Sequence, residues 1–416
     1  MDCTNRKVEY HEDIFSPKGS FDLKRYVTRE TLENLYSSAI KGNQNILVRG
    51  NSGTGKTWLT NKVLLDNEVG NATINCAEVA RMGSFEKYFE QSCQIVATKQ
   101  TDSLSAKVKA FFAEGKGHTK KDYIIHTNFF VEYLKKVPGN NKKFIVLENF
   151  EHLLVSPQLI KELACLIPML DDCNYERYKT RFIIISTTTS TVSFFKDLPN
   201  HDTIDNRIYE LCEVKGLTYP ECTQLILKGF KTIEFEISAY ESGPLAEQIY
   251  NLTDGIPQRV LELCECIYQV HSINKTNKLN LSFISRAQTL WATTSLSKNY
   301  SLLIKYFSEN SKNKKDLNII LYTIANMGKH TFDSLKVQAK ISEFFPKAII
   351  GKTKVKHYLE KVSDTTSNNN ILVQNDTSFS IRDIKYILCL RALLFKKDDM
   401  VEMYDISDYP DDVIAK

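Results

Sequence analysis

The residues best equipped for chemistry lie between Arg49 and Trp58, in the run Gly50-Asn51-Ser52-Gly53-Thr54-Gly55-Lys56-Thr57. It matches the phosphate-loop pattern G-x-x-x-x-G-K-[ST] at every position. Glycines at 50, 53 and 55 let the backbone curl so that successive N–H groups point inward at a phosphate chain. Lys56 is expected to reach the β- and γ-phosphates as a point charge. The Thr57 hydroxyl is expected to take one position on Mg²⁺. Trp58 opens the helix that follows and joins the nucleotide-binding set. The spacing predicts binding of a nucleoside triphosphate, with ATP and Mg²⁺ as cofactors.

Hydrolysis of such a ligand needs an acid at the end of a neighbouring strand, to hold the metal shell and position the attacking water. The run Phe144-Ile-Val-Leu-Glu148-Asn149-Phe-Glu151 offers Glu148 for the metal. Asn149 stands where a second acid is usual; it can orient a water but cannot take its proton. Glu151 is a base candidate if the strand ends early. Slow or partner-dependent turnover is the expectation. Thr187, in Ser186-Thr187-Thr188 at the end of the next apolar run, is placed as a γ-phosphate sensor, with a plain polar turn as the alternative. Arg207 reads either as a finger toward a neighbouring subunit's nucleotide or as half of a surface salt bridge.

These residues need a sheet to position them. Ile46 to Val48, Ala72 to Cys76, Phe144 to Leu147, Phe182 to Ser186 and Ile208 to Val214 read as strands separated by helices, among them Glu30 to Lys41 and Val79 to Lys99. Strands alternating with helices predict a doubly wound α/β sheet, the parallel-sheet core of a P-loop ATPase. From Thr218 the strand signal fades and helices dominate, which suggests a helical lid. Within it, Asp254-Gly255-Ile-Pro257-Gln-Arg259 makes a sharp turn into a helix. Pro257 could press on the adenine there and Arg259 sense phosphate. Beyond a polar linker at Asn310 to Asp316, three helices and a hairpin follow the winged-helix order. The expected organisation is a lead-in at 1–19, a core at 20–216, a lid at 217–309, a winged helix at 310–396 and a frayed acidic tail at 397–416. A polar segment, Thr101 to Lys121, reads as an insertion, and Tyr123 to Val137 as a helix.

With 54 basic and 50 acidic residues the net charge is +4, too balanced to announce a nucleic-acid partner for the whole chain. A local basic face exists on the third C-terminal helix, at Lys352, Lys354, Lys356 and Lys361; DNA phosphate and a protein partner both suit it. Ten cysteines without ligand-like spacing read as buried thiols of a reduced, cytoplasmic protein. No apolar run approaches the length of a membrane span, so no membrane role is expected.

With these pieces in place the chain resembles the AAA+/STAND group of P-loop ATPases. It is similar to stand-alone bacterial ATPases of antiviral defence or transposition, and more distantly to origin-recognition ATPases. The resemblance rests on Gly50 to Thr57, on Leu147-Glu148-Asn149-Phe150, on Gly255-Ile-Pro257, and on Tyr26-Val27-x-Arg29-Glu30. The last resembles the family's opening motif, which implies that Tyr26 and Val27 pack around the adenine. Thr28 replaces the usual Gly of that motif, and Asn149 the usual acid of the metal strand. The resemblance implies a molecular switch that assembles with itself or with an effector protein. A DNA-recruiting ATPase and a scaffold holding ATP as a structural ligand are the alternatives.

Overall fold

The computed structural model describes residues 14–17, 19, 21–93, 128–187, 192–196, 198, 201–309, 314–363 and 370–404. The insertion expected at 101–121 lies outside them. The chain divides into two compact units. One is Phe21–Gly216; the other comprises Leu217–Lys416 together with Met1–Ser20.

The first unit is built on five parallel strands, β1 (Asn45–Arg49), β2 (Gly70–Asn75), β3 (Lys143–Glu148), β4 (Thr180–Ser186) and β5 (Ile208–Glu210), in the order β2-β3-β4-β1-β5. Strands β3 and β4 are apolar runs buried on both faces, as a sheet covered by helices on each side requires. The period of two sorts their side chains. Ile46, Val48, Phe144, Val146, Ile183 and Ile185 pack against Tyr36 and Ile40 of helix Glu30–Lys41 and Leu59, Val63 and Leu64 of helix Lys56–Asp66. Leu47, Ile145, Leu147, Phe182 and Ile184 face the other way, onto Leu134 of helix Phe129–Lys136 and Leu159, Leu163 and Ile167 of helix Pro157–Met169.

This strand order places the site. Parallel strands end at the same edge, and Ser186 on β4 is in register with Arg49 on β1. Glu148 closes β3, one strand further on. The phosphate loop therefore opens beside two polar strand ends, where ligands of open α/β sheets bind.

Local chemistry revises several expected boundaries. Strand β2 stops at Asn75, whose side chain accepts from the Ala77 N–H at 3.1 Å and caps a helix over Cys76–Met82. The single helix expected over Val79 to Lys99 is broken at Gly83, which takes the left-handed conformation (φ 77°) that ends helices, before helical structure resumes over 85–93. Of the helix expected over Tyr123 to Val137, residues 123–127 lie outside the described set, and Phe129–Lys136 is helical after a cap at Asn128. The last strand ends at Glu210, although Leu211 and Val214 still donate to Leu47 O and Arg49 O at 2.9 and 2.8 Å.

In the second unit, helices Tyr219–Thr232, Ala239–Thr253, Pro257–Ile273, Ile284–Thr294 and Ser297–Glu309 make up the helical segment 217–309. Two of them begin with a Glu reaching back: Glu221 accepts from the Thr218 N–H at 2.7 Å and Glu241 from the Ser238 N–H at 3.2 Å. Then come helix Lys314–Asn326, β6 (Thr331–Phe332), helices Ser334–Phe344 and Lys352–Val362, β7 (Leu372–Asn375) and β8 (Ser378–Ile381), the strands forming an antiparallel sheet in the order β6-β8-β7. Helix Ile384–Leu393 follows. Its Arg391 donates to Asp254 at 2.5 Å, Asn251 O at 3.0 Å and Ala325 O at 2.7 Å, tying this helix to the end of helix Ala239–Thr253 and to helix Lys314–Asn326 within one unit.

Two segments expected to be loose are held. Ile14 and Phe15 are buried, and the Phe15 ring lies 5.1 Å from that of Phe230 and against Gly229, where a Cβ would meet it at 2.7 Å. At the other end β9 (Leu394–Lys397) and β10 (Met400–Met403) form a hairpin that runs into the expected tail. Val401 is buried and its carbonyl accepts from Asn318 at 3.2 Å, so apolar burial outweighs the acidic composition there. Residues 405–416 lie outside the described set.

Candidate nucleotide-binding site

Helix Lys56–Asp66 starts from Gly55, whose left-handed backbone (φ 86°) turns the loop sharply into the helix. No side chain caps that start among the described residues, so its first N–H groups point into the loop. At the other end of the loop Gly50 presses on the backbone of Val214: a Cβ there would sit 2.3 Å from Val214 O. Thr54 is buried, its hydroxyl donating to Asn51 O at 2.9 Å, whereas Asn51 and Ser52 are exposed and Gly53 and Thr57 half-buried.

Lys56 is buried. Its Nζ donates to Gly50 O and Asn51 O, both at 2.8 Å. Burial pulls its pKa down to about 8, while the nearby Glu151 carboxylate favours the charged form. Glu151 belongs to the 3₁₀ turn Phe150–His152 that follows β3 at once, so the strand does end early enough to set this acid near the loop. Burial raises the Cys76 thiol to about 12, and the charges of Glu151 and Glu148 push the same way. Both glutamates therefore lie on the flank of the sheet where Cys76 starts its helix.

Asn149 takes a left-handed backbone (φ 55°) and its Nδ2 donates to Asn75 Oδ1 at 3.0 Å. Asn75 was not foreseen in the site. Its signal was a short polar residue ahead of a helical run, which reads as a cap and nothing more. Ser186 is buried and Thr187 half-buried; Thr188 lies outside the described residues.

Tyr26 and Val27 are buried, and the Tyr26 ring lies 6.0 Å from that of Phe21. The Tyr26 hydroxyl donates to Glu33 at 2.9 Å, and burial together with that carboxylate raises its pKa. Trp58 stacks edge-on with Phe21 at 5.5 Å and lies under the Arg25 guanidinium at 5.3 Å. Arg29, quoted above only as part of a motif, is buried and reaches from the loop to the end of the unit. It donates to Thr54 O at 3.1 Å, Lys215 O at 2.7 Å and Gly216 O at 3.2 Å.

One expected position, Arg207, falls elsewhere in the first unit. Arg207 donates to Asp171 at 2.6 Å and Thr203 O at 2.8 Å, and its carbonyl receives the N–H of Asn45, the first residue of β1. It sits at the strand ends away from the phosphate loop, in the salt bridge that was the alternative to a finger. Pro257 and Arg259 belong to the other unit, where Pro257 opens its helix after the left-handed pair Asp254 and Gly255. Arg259 is buried there against Glu262 at 2.7 and 2.9 Å, and Glu262 also accepts from Trp291 Nε1 at 3.2 Å and Gln258 at 2.9 Å. On helix Lys352–Val362, Lys354 pairs with Asp316 and Lys356 with Glu360.

Among the described residues no cluster of three or more His, Cys, Asp or Glu could hold a metal alone. The oxygen donors Thr57 and Glu148, beside a phosphate loop, suit a hard cation that arrives with a nucleotide. No described helix is long and apolar enough to cross a membrane.

The architecture can now be compared with solved structures. The Walker-type ATPase PABY2304 of Pyrococcus abyssi superposes with a TM-score of 0.52 at 17% identity, over 91% of this chain and 99% of that one. The chain has the fold of a Walker-type P-loop ATPase. The Walker-type fold is matched less closely by the Aeropyrum pernix ORC2 protein (TM-score 0.46, 12% identity, 91% and 96% covered) and by the Thermotoga maritima RuvB branch migration motor (0.41, 12%, 90% and 97%). No protein-family model matches the sequence. No curated protein matches it either.

Proposed function

We propose that this protein is an ATP-binding switch with slow or partner-dependent hydrolysis, controlling the assembly or activation of an effector protein. The observation that carries the reading is the complete loop Gly50 to Thr57 between β1 and its helix, combined with Asn149 in place of a second acid. The loop N–H groups and Lys56 bind the phosphate chain, with Lys56 exchanging its two loop carbonyls for phosphate oxygens. Thr57 and Glu148 hold Mg²⁺, which neutralises phosphate charge when bound. Asn149 orients water with its amide but is tied to Asn75 and accepts no proton. Glu151, the remaining acid, is the base, and its charge acts on the loop lysine, Lys56. Binding alone then sets the state, and turnover resets it slowly.

The resemblance to stand-alone ATPases of antiviral defence supplies the biological setting of this proposal. Self-association is part of it, and breaking the Arg207–Asp171 pair would release Arg207 as a finger toward a second copy. The DNA-recruiting alternative rests on the lysine-rich helix Lys352–Val362, where Lys354 and Lys356 also face acids of their own unit. The test is equilibrium binding of ATP with Mg²⁺, followed by steady-state turnover. We expect binding that Lys56→Ala weakens by about 10- to 150-fold, and turnover at least 100-fold below the ~10 s⁻¹ typical of enzymes. Rapid turnover by the isolated protein sinks the switch reading. ATP retained through purification and never turned over selects the scaffold alternative, and salt-dependent binding to duplex DNA selects the recruiting one.

A further inference from the structure

The segment 214–216 is where the first unit ends, and two features of that unit converge on it. Val214 lies against the start of the phosphate loop, with its N–H on Arg49 O at 2.8 Å and its carbonyl where a Cβ on Gly50 would be, 2.3 Å away. Arg29 spans the other side. One guanidinium nitrogen donates to Thr54 O, inside the loop, at 3.1 Å; the other donates to Lys215 O and Gly216 O at 2.7 and 3.2 Å. The fork is aimed by its own backbone, since the Arg29 N–H donates to Glu33 Oε1 at 2.5 Å and the same oxygen receives the Tyr26 hydroxyl. Immediately after Gly216, Leu217 begins the second unit and exchanges close contacts with the Gly-x-Pro turn. Its N–H donates to Gly255 O at 2.7 Å, and its carbonyl lies 2.3 Å from where a Gly255 Cβ would be.

We propose that Arg29 is a positioning residue that couples the phosphate loop to the hinge at Lys215–Gly216; the proposal rests on the nucleotide reading above. A planar guanidinium with its donors in a rigid fork holds carbonyls of two chain segments at once, so moving Thr54 O moves the grip on Lys215 and Gly216. Closure of the loop on a phosphate chain then changes the freedom of the hinge, whose next residue is locked to the Gly255 turn. A lysine at this position offers one flexible ammonium and cannot bridge both segments in fixed geometry.

The Lys215–Gly216 peptide is itself a trypsin site, its lysine exposed and its scissile carbonyl the acceptor of Arg29. Cleavage there, located by mass spectrometry, is measured with and without a non-hydrolysable ATP analogue, and binding of that analogue is measured in parallel. In the wild-type protein we expect the analogue to change the cleavage rate at Lys215 about fivefold or more. In Arg29→Lys we expect binding within about threefold of wild type and cleavage at Lys215 indifferent to the analogue. A wild-type protein that binds the analogue with unchanged cleavage at Lys215 overturns the coupling, whatever the variant does. A folded Arg29→Lys that keeps the full nucleotide-dependent change also overturns it. Failure of the wild-type protein to bind removes the nucleotide reading and the coupling together, a result distinct from both.

Discussion

The two units handle buried charge in opposite ways. In Phe21–Gly216 the buried cations beside the phosphate loop, Lys56 and Arg29, are held by backbone carbonyls. Lys56 can exchange its carbonyls for phosphate oxygens without stranding an opposite charge, whereas Arg29 keeps its grip on Thr54, Lys215 and Gly216. In the second unit Arg259 is held by the half-buried carboxylate of Glu262, which Trp291 and Gln258 also address. Freeing that arginine would leave a partly desolvated anion behind, which is costly. The first arrangement is poised for an incoming anion and the second for rigidity. A phosphate-sensing role for Arg259 therefore requires its helix to give up an internal pair first.

The contrast can be broken in order of effect. Glu262→Ala should cost about 3–5 kcal/mol, because it leaves a buried guanidinium without its partner; chemical denaturation measures it, and a loss under 1 kcal/mol would show that the pair is dispensable. Lys56→Ala should leave stability nearly unchanged yet weaken ATP binding by about 1.5–3 kcal/mol, the worth of a charged hydrogen bond, as read by calorimetry. Gly50→Ala and Gly255→Ala each push a Cβ to 2.3 Å from a carbonyl oxygen, Val214 O and Leu217 O respectively. Each should destabilise by about 1–3 kcal/mol, and the positive φ at both positions, 157° and 63°, adds strain.

A pH titration of ATP binding probes the first unit more finely. Burial holds Lys56 near pKa 8 in the free protein, and a bound phosphate chain favours its protonated form. Binding therefore takes up a proton above that value. Affinity should fall by up to about tenfold per pH unit as pH rises above 8, and the fall should vanish in Lys56→Ala. The smallest effect belongs to Arg207, whose pair with Asp171 is one-third exposed on each side. Arg207→Ala should cost about 0–1 kcal/mol of stability, so any large loss of turnover in that variant would point to a role beyond the salt bridge.

Much of the first unit was legible because its signals are local. Strands buried on both faces show as unbroken apolar runs such as Phe144 to Leu147, and the glycine and lysine spacing of the loop is contiguous. The interruption at Gly83 and the cap at Asn75 were also written locally, but they compete with a helical pattern that continues past them. The hairpin of β9 and β10 was hidden by acidic neighbours, its stability coming from Val401 and a carbonyl bonded to Asn318, distant in the chain.

The amino-acid sequence by itself determined the phosphate loop, the strands that flank it and the absence of a second acid after Glu148, since each depends on residues adjacent along the chain. Only the tertiary structure decided that Asn149 meets Asn75, that Arg259 is spent on Glu262, and that Arg29 joins Thr54 to Lys215 and Gly216. Apart from the short-range Arg259 pair, these contacts close loops of many residues. For all of them the pairing of polar groups depends on which carbonyls and carboxylates the packed core leaves within about 3 Å of a donor, a matter of position in space that composition and periodicity do not encode.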